Sequence, residues 1–192
     1  TVLTGFLKYA TVPVVNMESA TGHPLQSLAD AITMEEHKTT HRPKVVLTWA
    51  PHPKALPQAV ANSFVQMMQL QEADFVITHP KGYELDEKFT KGATIEYDQQ
   101  KALAGADFVY VKNWSSYQQY GQVLCSDTNW MLTNQSMQIT NEAKVMHCLP
   151  VRRNIELSDE ILDGENSLVT QQAGNRVWAA QAVLAEILNA HK

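Results

Sequence analysis

Lys44-Val45-Val46-Leu47-Thr48-Trp49 is an apolar run rich in β-branched residues, the pattern of a short buried strand. Comparable runs occur at Val12 to Met17, Asp74 to Thr78, Asp107 to Val111 and Lys144 to Leu149, which gives five candidate strands. The segments between them carry helical periodicity. After His23-Pro24, the residues Leu25, Leu28, Ala29 and Ile32 mark one face, and Pro24 suits a first helical turn. A helix is expected from about Pro53 to Gln71, with Val60, Phe64 and Met67 or Met68 turned inward, and a brief one after Tyr97-Asp98. Another is expected from Ser158-Asp159-Glu160, with a polar cap and an acidic first turn. The last is expected from Gly174 toward Lys192 through Val177, Ala180, Leu184 and Leu188. Strands alternating with helices imply parallel pairing through helical crossovers. The expected class is therefore α/β, a three-layer open parallel sheet of about five strands with helices on both faces. The stretch Asn113 to Asn134, rich in Ser, Tyr, Gln and Asn, is the longest without clear periodicity and reads as a functional or mobile loop.

A chain of 192 residues that is 44% hydrophobic and 18% charged supports one sizeable core, so residues 1–192 are expected to form one domain. Its formal charge of -5, with no Lys/Arg run longer than Arg152-Arg153, argues against a nucleic-acid partner. Cys125 and Cys148 stand in unrelated contexts without CxxC or HExxH spacing, so neither a disulfide framework nor a metal site is expected, and a reducing cytosol fits best. No stretch reaches the roughly 20 apolar residues of a membrane helix. The absence of GxGxxG after any strand removes support from a nicotinamide-dependent dehydrogenase. The opening at Thr1 reads as the end of a helix, so a segment is expected upstream.

In open parallel sheets ligands bind beyond the carboxyl ends of the strands. The residues expected there are Glu18 with His23 and Gln26, then His52, then Lys112-Asn113-Trp114, then His147-Cys148-Leu149-Pro150 with Arg152-Arg153. His23 and Gln26 fall at the start of a helix, where free N–H groups and the dipole favour anions. On local sequence, His23 also reads as a helix cap and His52 as a turn residue between two prolines. A lysine at a buried strand end is expensive unless an anion meets it, so Lys112 is either exposed or paired. Cys148 reads as a small apolar core residue, and Arg152-Arg153 as a surface pair or an anion clamp. Arg176 reads as a residue at the start of the last helix, or as a structural salt-bridge partner.

Two motifs sharpen this picture. His23-Pro24-Leu25-Gln26-Ser27-Leu28-Ala29-Asp30 and His147-Cys148-Leu149-Pro150 resemble, in order and separation, the HPxQxLAD and HCLP signatures of the ornithine-type carbamoyltransferases. The resemblance implies that His23, Gln26, Cys148, Leu149 and Arg176 line a carbamoyl-phosphate subsite, with His23 and Cys148 catalytic. The chain departs from the ordinary ornithine enzymes where they carry an acidic DxxxSMG loop: it reads Lys112-Asn113-Trp114-Ser115-Ser116. A lysine repels an α-ammonium but tolerates an acylated amine. The chain is most similar to the N-acylornithine branch, which implies that Glu18, His52, Lys112 and Arg152 bind acylornithine. The excess of positive groups favours succinyl over acetyl as the acyl group. N-acetylornithine or ornithine enzymes, or a non-catalytic amino-acid-binding module, are the alternatives. The resemblance further implies no cofactor and no metal, a cytoplasmic homotrimer in arginine biosynthesis, and a separate N-terminal carbamoyl-phosphate domain. Residues 174–192 would pack against that domain.

Overall fold

The computed structural model describes residues 2–190. The element order is α1 (Val2–Tyr9), α2 (Pro24–His37), β1 (Lys44–Trp49), α3 (Ala59–Met68), β2 (Asp74–Thr78), α4 (Glu87–Thr90), β3 (Thr94–Glu96), α5 (Gln99–Leu103), β4 (Phe108–Lys112), α6 (Asn134–Met137), β5 (Lys144–Met146), α7 (Asp159–Leu162) and α8 (Val169–Ala190). The five strands form one parallel sheet in the order β3-β2-β1-β4-β5. Helices cover both faces, as the alternating pattern predicts.

The period of two along the central strands explains the layering. Val45, Leu47 and Trp49 of β1, with Phe108 and Tyr110 of β4, join Phe64 and Met68 of α3 in one core. Val46 of β1, with Val109 and Val111 of β4, joins Leu103 of α5 and Ile161 of α7 in the other. Both strands are therefore apolar on both sides, which is why their runs stand out in the sequence.

Several boundaries differ from expectation. Val12 to Met17 forms no strand; Val12 is 70% exposed and Met17 55%, so its apolar composition meets no sheet neighbour. The fifth strand is instead Thr94–Glu96, a three-residue edge strand paired only with β2, too short and too polar to show as an apolar run. The helix expected from Pro53 starts at Ala59, because residues before it are held as a turn: the Leu56 N–H donates to Asn113 Oδ1 and the Ser115 N–H to the Leu56 carbonyl.

The last helix begins at Val169 and not at Gly174, so Arg176 lies about two turns inside it. Its buried positions are Val169, Gln172, Asn175 and Ala179, whereas the apolar residues Val177, Leu184 and Leu188 are exposed. His191 and Lys192 lie outside the described residues. Polar side chains make the α2–α8 contact: Asn175 Nδ2 donates to Thr33 Oγ1 at 3.0 Å and to Glu36 Oε2 at 2.8 Å. No described helix is long and apolar enough to cross a membrane.

Candidate active site

The strand order reverses between β1 and β4: from β1 the chain runs out to β2 and β3, then returns to place β4 on the other side of β1. The carboxyl ends of these two strands diverge into separate loops and leave a crevice, the usual ligand position in such sheets. A cleft of about 610 Å³ lies there, lined by Glu18, His23, His52, Lys54, Lys112, Cys148, Leu149, Arg152 and Arg176 among others. Eight of the nine residues that the resemblance assigns to a subsite share this cleft. Gln26 does not line it; only 2% exposed, it turns beneath the wall, where its Nε2 donates to Asp30 Oδ1 at 2.8 Å.

Register explains the meeting of distant segments. Tyr110 of β4 pairs with Met146 of β5, so Lys112 comes level with Cys148 just past the strand end. Trp49 pairs with Lys112, which carries His52 to the same edge. Lys112 is only 7% exposed, and no hydrogen bond or ion pair of its ammonium is found among the described residues. Its charge acts instead on His147, Cys148 and Glu156. An ammonium buried without a direct partner carries a desolvation cost of about 1 kcal/mol or more, which an anionic ligand in the cleft offsets.

His23 precedes the first turn of α2 but does not cap it with its side chain. Its backbone N–H donates to Ser63 Oγ at 2.7 Å, and its Nε2 lies 3.9 Å from Glu18 Oε2. Burial pushes the imidazole below its ordinary value of 6.5, against the opposing pull of Glu18. A neutral ring that can donate one hydrogen bond therefore stands at the cleft. His52 is both a turn residue and a wall of the site: its Nδ1 lies 2.8 Å from the Lys54 carbonyl and 3.0 Å from the Lys54 N–H, which leaves Nε2 for the cleft.

The turn after β5 is built with more care than its exposure suggests. The Leu149 N–H donates to His147 Nδ1 at 3.0 Å, so the proton of this ring sits on Nε2, facing Glu156 Oε1 at 3.3 Å. The other oxygen of Glu156 accepts the Arg152 N–H at 2.8 Å. His147 and Glu156 are both fully buried. Burial lowers the His147 pKa, while Glu156, which burial alone would raise, is held low by His147 and by the Arg152 N–H. Leu149 consequently takes a left-handed φ of 52°, costly for an L-residue and maintained by these bonds, with a cis bond to Pro150. Burial also pushes the Cys148 thiol up, so it stands in the wall as a protonated group.

Arg152 and Arg153 part company. Arg153 binds Asp159 at 2.9 Å and Asp163 at 2.7 Å on the surface, while Arg152 turns into the cleft. Arg176 also lines the cleft, which sets aside a purely structural pairing. Asn113 and Trp114 are structural: Asn113 Nδ2 donates to the Ala50 carbonyl at 2.7 Å, and Trp114 Nε1 to the Tyr83 carbonyl at 2.8 Å. Three participants escape a reading of the sequence. Lys54 carries no signal beyond its charge, Glu156 is one acid among many, and Gln172 acts only through tertiary contacts. The rim thus presents four cationic side chains, Lys54, Lys112, Arg152 and Arg176, to one carboxylate, Glu18, and suits a polyanionic ligand set.

Residues 57–187 match the family described as aspartate/ornithine carbamoyltransferase, Asp/Orn binding domain. The chain is 52% identical over 189 residues to the N-succinylornithine carbamoyltransferase of Bacteroides fragilis, covering 97% of this chain and 59% of that protein. It is 35% identical over 207 residues to the N-acetylornithine carbamoyltransferase of Xylella fastidiosa, covering 97% and 61%. A crystal structure of N-acetyl-L-ornithine transcarbamylase superposes with a TM-score of 0.88 at 34% identity, covering 97% of this chain and 63% of the other. A variant of that enzyme complexed with carbamyl phosphate and N-succinyl-L-norvaline superposes with a TM-score of 0.90, covering 97% and 62%. The chain spans about 60% of the length of the curated relatives it matches.

Proposed function

Because this chain belongs to the aspartate/ornithine carbamoyltransferase family, through its Asp/Orn-binding domain, we propose that it supplies the amine-binding part of an N-acylornithine carbamoyltransferase, with N-succinylornithine the favoured amine. The observation that carries this reading is the buried ammonium of Lys112, with no hydrogen bond or ion pair among the described residues, in the same cleft as His23 and the Cys148-Leu149 turn. An α-ammonium beside it would be repelled, whereas acylation removes that charge and leaves carboxylates for Lys112 and Arg152 to meet.

The reaction is attack of the δ-amine on the carbonyl carbon of carbamoyl phosphate, through a tetrahedral intermediate that expels phosphate. His23, neutral and able to donate, faces the carbonyl oxygen as charge develops on it, a contribution of a few kcal/mol for a well-placed donor. Cys148, protonated, and the Leu149 carbonyl orient the amine; positioning supplies much of the remainder. Arg176 meets the phosphate, while Glu18 and His52 complete the acylornithine subsite. Gln26 keeps a part in the carbamoyl-phosphate subsite through its place in the first turn of α2. The same reading carries a cytoplasmic homotrimer in arginine biosynthesis, with the exposed Val177 and Leu184 face of α8 covered by a carbamoyl-phosphate domain.

The test is to assay the full-length protein with carbamoyl phosphate against ornithine, acetylornithine, succinylornithine and aspartate. Succinylornithine is expected to have the highest kcat/KM. Preference for acetylornithine moves the assignment within the branch, and preference for ornithine defeats the argument from Lys112. His23→Ala is expected to lower turnover far more than it weakens amine binding; unchanged turnover removes the role given to His23.

A further inference from the structure

Beneath the cleft lies a group the proposed chemistry does not touch. Asp30 is fully buried in α2, and no ion pair of its carboxyl is found among the described residues; the charge of Arg176 reaches it only at longer range. Its Oδ1 accepts from two amides, Gln26 Nε2 at 2.8 Å and Gln172 Nε2 at 2.6 Å. Gln172 is itself fully buried, and its Oε1 accepts the His147 backbone N–H at 2.9 Å. His147 in turn accepts the Leu149 N–H at 3.0 Å. A continuous run of hydrogen bonds thus joins α2 to the turn that forms the far wall of the cleft.

The direction of this run follows from what each group can do. Whether or not the other oxygen carries a proton, Asp30 Oδ1 acts only as an acceptor here, so it selects the amino end of the Gln172 amide and leaves the oxygen end for His147. Without that acceptor only the His147 N–H holds the amide in this orientation, since the reversed form would set a donor against it. An apolar residue in place of Asp30 would fill the space at a lower desolvation cost, but it could not set the amide. The second carboxylate oxygen and the Tyr110 hydroxyl are both buried without a hydrogen bond of good geometry; the hydroxyl lies between Asp30 and Cys148 and interacts electrostatically with both.

We infer that Asp30 is a positioning residue that orients Gln172 and, through it, holds the His147–Leu149 turn in its working shape. The catalytic side of this inference rests on the proposed carbamoyl transfer; the structural side does not. The experiment uses the full-length protein with Asp30→Ala, Gln172→Ala, their combination and Asp30→Asn, and reads both amide hydrogen exchange at residues 147–149 and steady-state kinetics. Asp30→Ala and Gln172→Ala are each expected to speed exchange at His147 and Leu149 about tenfold. Each is expected to lower kcat about tenfold with little change in KM. The combination should be no worse than the stronger single change, because both break one chain of contacts. Asp30→Asn keeps an accepting oxygen and should recover most of the exchange protection and of kcat. Additive effects, or unchanged exchange at 147–149 in both single variants, overturn the inference. Altered exchange in a protein whose parent transfers no carbamoyl group upholds the positioning role and defeats the proposed function instead.

Discussion

The floor and the rim of the cleft are built on opposite plans. In the floor, Asp30, Gln172, His147 and Glu156 are fully buried and joined by hydrogen bonds of 2.6 to 3.3 Å. On the rim, the charges of Lys54, Arg152 and Arg176 are exposed, and no fixed partner of them is found among the described residues. The floor therefore has one arrangement, and the rim keeps its charges free for a ligand. Two adjacent residues show the contrast in miniature: Arg153 is held by Asp159 and Asp163, while Arg152 faces the cleft. Site geometry and binding charge thus occupy different residues, and substitutions should separate them.

Glu156→Ala should give the largest effect on stability. It strands the His147 Nε2–H and the Arg152 N–H, at a cost of about 3 kcal/mol, or roughly 10 °C in the thermal midpoint. A shift within a degree or two would dissolve the distinction between floor and rim. Lys112→Met should move stability and binding in opposite directions. Relief of a desolvated charge should stabilise the unliganded protein by about 1 kcal/mol, and affinity for acylornithine in the full-length protein should fall about a hundredfold, near 2.7 kcal/mol. Lys112→Asp should abolish use of the acylated amine. Arg152→Ala should raise KM for acylornithine about tenfold without altering the melting curve, whereas Arg153→Ala should lower the melting curve slightly and leave KM alone.

In the pH dependence of stability two floor groups have opposite signs. Burial holds His147 below 6.5, so the unfolded chain takes up a proton that the folded one refuses, and stability falls as pH drops through that window. Burial raises Asp30 from 3.8 to about 7 despite Gln26, Gln172, Tyr110 and Arg176. The folded chain therefore keeps a proton that the unfolded one releases, and stability falls as pH rises across that range. Denaturant titrations should show Asp30→Asn losing the second slope only.

The central strands were legible because β1 and β4 are covered on both faces and so cannot avoid apolar side chains. Val12 to Met17 has the same composition without any sheet neighbour, which composition does not report. Thr94–Glu96 is the reverse case: pairing with Val76, Ile77 and Thr78 makes it a strand, with little sequence preference of its own. In the site, His23, Cys148 and Leu149 were found by motif and Lys112 by its place after an apolar run. Glu156 and Gln172 were invisible because an ordinary polar residue becomes structural only when a partner arrives, in the case of Gln172 from 142 positions away. Arg176 lines the cleft although it does not open its helix as expected.

The distribution of indoles gives this chain a built-in optical gauge. Trp49 and Trp114 are shut in the core, whereas Trp178 stands 62% exposed on α8, beside Val177 and two positions past Arg176. Its emission should lie at the red end of the spectrum and be open to collisional quenchers while that face is bare. A blue shift with loss of quenching would signal burial of the α8 surface, against the background of the two enclosed tryptophans and half-buried Trp130.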